Sequence, residues 1–99
     1  MVRNNYEPLM ALIRESSKEQ LCWLATTTED LSTFFYYDKR RTQHAGLNPS
    51  EFRDVVDLIK LKSGITSDVE RVVGCLLMIS KGCLKLAGLK KWQDLSGGV

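Results

Sequence analysis

The chain has little of what holds small secreted domains together. Its three cysteines, Cys22, Cys75 and Cys83, are odd in number, form no CxxC pair and sit among apolar neighbours. A disulfide framework is therefore not expected, and buried free thiols in a reducing cytoplasm are the simpler reading. Seven glycines and two prolines in 99 residues exclude a collagen-like chain and Pro/Gly-rich disorder. There is one histidine, His44. Neither sign of charge dominates: 14 Lys and Arg face 12 Asp and Glu, a net of +2. The pI near 8.5 falls short of the value above about 9 that marks a strongly basic nucleic-acid binder.

Long apolar runs are also missing. The longest weakly charged stretch, 72–89, carries Lys81 near its middle and Lys85 one helical turn later. A lysine at the centre of a spanning helix costs roughly 2.5–3.5 kcal/mol, so no membrane span is expected. The opening residues, Met-Val-Arg-Asn-Asn-Tyr-Glu-Pro, lack the apolar core of a signal peptide. These features point to a cytoplasmic protein. The length leaves room for one domain, 1–99, with a flexible tail from about 95.

What is present is helical signal. Asn5 can cap a first helix with Pro8 in its opening turn, and Tyr6, Leu9, Met10, Leu12 and Ile13 supply its apolar face. Ser17 and Gln20 have the spacing of a capping box opening a second helix. Thr27 to Asp30 can start a third, bearing Leu31, Phe34 and Phe35. Residues 21–37 are rich enough in strand formers to make a β-hairpin instead, but the intervening Thr28-Glu29-Asp30 lacks the expected glycine. Asn48-Pro49-Ser50-Glu51 is a strong start signal for a helix carrying Phe52, Val55, Val56 and Ile59, broadened by Leu58 and Leu61 and ended by Gly64. Ser67 and Glu70 form a further capping-box pattern. The helix after it is apolar all round from Gly74 to Ile79, as in a central helix or one buried against another chain. A short last helix runs to Trp92. The expected fold is all-α, a compact bundle of five to six short helices.

Catalytic groupings are not found. Nothing brings His44 beside a cysteine, and Cys75 and Cys83 are eight residues apart, about 12 Å along a continuous helix, too far to share a metal. Asp54 and Asp57 alternate with Arg53 and Lys60, the pattern of a solvated ion-pairing face. No GxxxxGK[ST] or GxGxxG loop occurs. No enzyme activity, cofactor or metal is expected.

Two basic clusters remain, Lys39, Arg40, Arg41 with His44, and Lys81, Lys85, Lys90 with Lys91. They are the candidate determinants for a protein partner or for phosphates of DNA or RNA. The stretch 56–73 has the layout of a helix-turn-helix. Lys60 and Glu70, however, stand where small and buried residues are needed, and 72–79 is too apolar to line a groove. Val72, Cys75, Leu76, Met78 and Ile79 are candidates for self-association as a homodimer. The leading expectation is a small regulatory or adaptor protein that binds a protein partner. The alternative is a DNA- or RNA-binding transcriptional regulator.

Overall fold

Two local hydrogen-bond patterns set the frame of the molecule. In one, the Glu51 N–H donates to Asn48 Oδ1 at 2.8 Å and the Asn48 N–H donates back to Glu51 Oε1 at 3.1 Å. In the other, the Gln20 N–H donates to Ser17 Oγ at 3.0 Å and the Ser17 N–H to Gln20 Oε1 at 2.8 Å. Each reciprocal pair satisfies two donors that a helix start leaves open. The computed structural model describes residues 5–26, 31–35 and 46–97. Among these it contains α1 (Tyr6–Glu15), α2 (Lys18–Thr26), α3 (Leu31–Phe34), α4 (Pro49–Ser63), α5 (Val69–Ser80) and α6 (Leu86–Asp94). The fold is all-α. Where the hairpin alternative falls on described residues, 21–26 and 31–34 are helical, and the one pairing among the described residues is an isolated antiparallel bridge between Phe35 and Leu84. The Thr27–Asp30 cap signals lie outside the described residues.

The helix α5 is the hub. It packs against α1, α2 and α4, and α4 in turn packs against α1 and α2. Its apolar circumference is used within the chain: Val69, Val72, Val73, Cys75, Leu76, Leu77 and Met78 are all buried. Around it lie Leu9, Met10 and Ile13 of α1, Leu21 and Leu24 of α2, and Val55 and Ile59 of α4. The radius of gyration, 12.6 Å, matches the roughly 13 Å expected for a packed domain of this length.

Several helix boundaries depart from expectation. The α5 start is not capped by Ser67. Asp68 takes the N-cap position in a left-handed conformation, φ +58°, without a side-chain cap bond. Asp tolerates this region better than most residues. At the α1 start, Asn5 stands at the cap position but its side chain does not cap. Its amide nitrogen instead lies 2.8 Å from where a Cβ on Gly46 would be. The α5 end is a Schellman turn: Gly82 N–H donates to Ile79 O and Cys83 N–H to Met78 O, with Gly82 at φ +73°. Leu61 does not broaden the α4 face inward; it is 83% exposed.

The helix α6 attaches at the edge of the bundle, chiefly against α3. Lys85 N–H donates to Phe34 O at 2.6 Å. Trp92 is buried, 6.4 Å from Trp23, which meets Phe34 edge-on at 5.3 Å. The residue expected to begin a tail, Leu95, accepts from Ser17 Oγ through its carbonyl at 2.5 Å.

Candidate interaction surface

The inward face of α6 is defined by Gly88 and Trp92, one helical turn apart and both buried. Gly88 sits so close to α3 that a Cβ there would meet Phe34 O at 2.8 Å. With this face inward, Leu86 is turned out to 82% exposure and Leu89 to 39%. Leu86, Leu89, Lys90 and Gln93 follow the i, i+3, i+4, i+7 spacing of one helix face. The sequence singles out the lysines here and leaves the inward side of this helix unassigned. The signal that identifies the true inward side is Gly88 with Trp92.

The four C-terminal lysines fall on the Schellman turn, the α6 N-cap and α6 itself. Lys81 is exposed in the turn, Lys90 and Lys91 are exposed on the helix, and Lys85 is half-buried at its N-cap. Lys39, Arg40, Arg41 and His44 lie outside the described residues.

The self-association candidates lie on α5. Val72, Cys75, Leu76 and Met78 are at most 1% exposed, with their surface already covered by the chain itself, and Ile79 is half-buried. Before its last turn, what α5 leaves toward solvent is Glu70, with Arg71 and Gly74 half-buried beside it, so the second helix of the helix-turn-helix layout offers a narrow face that includes an acidic residue.

Burial pushes the Cys75 thiol up to about 11, opposed in part by the Arg71 guanidinium beside it, so Cys75 is a poor nucleophile at neutral pH. Cys22 is half-buried and its thiol donates to Ser63 O at 3.7 Å. The Tyr6 hydroxyl donates to Asp54 Oδ2 at 3.1 Å, and this bond raises the Tyr6 pKa. A cleft of about 550 Å³ between α4 and α5 mixes apolar Phe52, Val56 and Val69 with Lys60 and Arg71 and with the opposing Asp68 and Glu70. Among the described residues no group of three His, Cys, Asp or Glu is arranged to hold a metal ion. No described helix is long and apolar enough to cross a membrane.

Comparison with known proteins returned no matching family model, no matching curated protein and no matching solved structure.

Proposed function

We propose that this chain is a small regulatory or adaptor protein that binds a protein partner through the outward face of α6. The observation that carries the reading is Leu86, which projects 82% exposed with Leu89 beside it and lysines around it. A single exposed leucine is ordinary, but two on one face of a short helix, framed by like charge, form a compact apolar contact with a polar rim. A second copy docking through α5 would have to withdraw Val72, Cys75, Leu76 and Met78 from the core, so self-association would have to use another surface.

The test is affinity capture with the full chain and with Leu86→Ser/Leu89→Ser, each with and without nuclease. A protein retained by the wild type, lost by the double variant and insensitive to nuclease supports the reading. The nucleic-acid alternative rests on Lys39, Arg40, Arg41, Lys81, Lys85, Lys90 and Lys91 and predicts nuclease-sensitive capture, with affinity falling steeply as salt rises.

A further inference from the structure

We infer that the segment docking on α6 is an acidic amphipathic α-helix of the partner protein. This rests on the protein-partner reading above and adds the chemistry of the contact. The outward face combines two features that an occupant must satisfy together. Leu86 and Leu89 form an apolar ridge over the first turn, and Lys90 follows directly on the same face. Lys91 on the helix and Lys81 in the preceding turn are also exposed. From 81 to 94 the chain carries four lysines against Asp94 alone. The occupant therefore needs apolar side chains for the ridge and carboxylates for its surround.

Nucleic acid answers only the charge. Single strands are held by aromatic stacking beside the phosphate contacts, and the one aromatic of α6, Trp92, is buried. A lipid surface answers poorly as well. An in-plane helix needs a sustained apolar face with interfacial aromatics, whereas this helix has nine residues, about 14 Å. Its outward apolar stripe stops after one turn at Lys90 and Gln93, and its tryptophan points inward. A helix laid alongside α6 meets both demands. A leucine ridge seats between the side-chain rows of a neighbouring helix, and flanking Glu or Asp face the lysines as in paired amphipathic helices.

The test uses the full chain and a fluorescein-labelled synthetic helix of about fourteen residues, long enough for partial helicity. It carries leucines at i, i+3, i+4 and i+7, flanked by Glu. Fluorescence anisotropy is expected to show saturable binding in the micromolar range. Leu86→Ser/Leu89→Ser and Lys90→Glu/Lys91→Glu should each weaken it by about tenfold or more, and added salt should weaken it further. A second peptide with Lys replacing every Glu should bind Lys90→Glu/Lys91→Glu and not the wild type. Circular dichroism verifies that both variants keep their helical content. No saturable binding, or binding indifferent to Leu86 and Leu89, overturns the inference. So does Leu86-dependent binding to phosphatidylserine vesicles or to a DNA duplex in place of the peptide.

A photo-cross-linking residue in place of Leu86 separates this inference from the reading beneath it. Adducts mapped to an acidic helical segment support both. Adducts to a neutral or basic segment overturn the acidic helix and leave the protein partner standing. Absence of any protein adduct overturns both.

Discussion

Gln20 Nε2 donates to the Trp92 carbonyl at 2.8 Å while Gln20 Oε1 accepts from the Ser17 N–H. One buried amide thus closes the start of α2 and ties it to α6, 72 residues away. Ser17 repeats the connection, accepting from the Gln20 N–H and donating to the Leu95 carbonyl. Gln20→Ala removes both bonds of the side chain and should cost about 2 kcal/mol, a fall in Tm of roughly 8–16 °C. Gln20→Glu keeps the acceptor for Ser17 but presents a carboxylate to the Trp92 carbonyl. Relative to wild type it should be more destabilised at pH 7 than at pH 4, where protonation restores a donor. Thermal unfolding at the two pH values checks both outcomes.

Two glycines should respond to alanine for different reasons. At Gly88 a Cβ would lie 2.7 Å from Leu84 Cδ1 and 2.8 Å from Phe34 O, and the latter is backbone that cannot step aside. Gly88→Ala should lose about 1–3 kcal/mol of stability although alanine is the better helix former. The near-ultraviolet dichroism of Trp92 and Trp23 should change with it. At Gly82 nothing lies within 4 Å, so the cost comes only from φ +73°. Gly82→Ala should lose about 1–2 kcal/mol with the tryptophan signal intact. Urea unfolding followed by dichroism separates the two cases.

Lys62 reaches from α4 to the end of α1, where its ammonium donates to the carbonyls of Ile13, at 2.8 Å, and Arg14. These carbonyls carry the negative end of the α1 dipole, and the bonds are charge-assisted. Lys62→Met should destabilise the protein by about 1–2 kcal/mol while retaining the aliphatic stem. Unfolding measured with and without added salt checks the charge component, which should shrink as salt rises.

Cys75 gives a prediction in pH. Its thiol stays protonated in the folded state up to about 11, whereas the ordinary value is 9.0. Below pH 9 both states hold the proton and the group contributes no pH dependence. Between pH 9 and about 11 the unfolded chain ionises first and binds fewer protons, so stability falls as pH rises. The full loss across that window is about 2–3 kcal/mol. Cys75→Ala should abolish this component, which unfolding curves at pH 8.5 and 10.5 will show. Thiol reagents at neutral pH should modify the half-buried Cys22 well before Cys75.

The parts of the fold that were legible in the sequence are those decided locally. The boxes at Ser17–Gln20 and Asn48–Glu51 depend on residues three apart, and both form. Ser67–Glu70 has the same spacing and fails, because Asp68 adopts a left-handed turn that places the helix start one residue past it. Periodicity identified the face of α5 but could not say what covers it. An all-round apolar helix has the same pattern inside a monomer and inside a dimer. Leu61 and Leu86 show the converse: each continues an apolar pattern, yet no other part of the described chain covers it. The orientation of α6 was set by Gly88 against Phe34, a contact between residues distant in sequence. That distance is why the basic cluster was visible in advance and its leucine ridge was not.

The position of α5 in the chain also bears on how the protein is made. Its hub comes after α1, α2 and α4 have all left the ribosome, since synthesis runs from the N-terminus. Until then, Leu9, Met10 and Ile13 on α1 and Leu21 and Leu24 on α2 have α4 to pack against but not α5. The core around α5 can therefore close only once 69–80 has emerged.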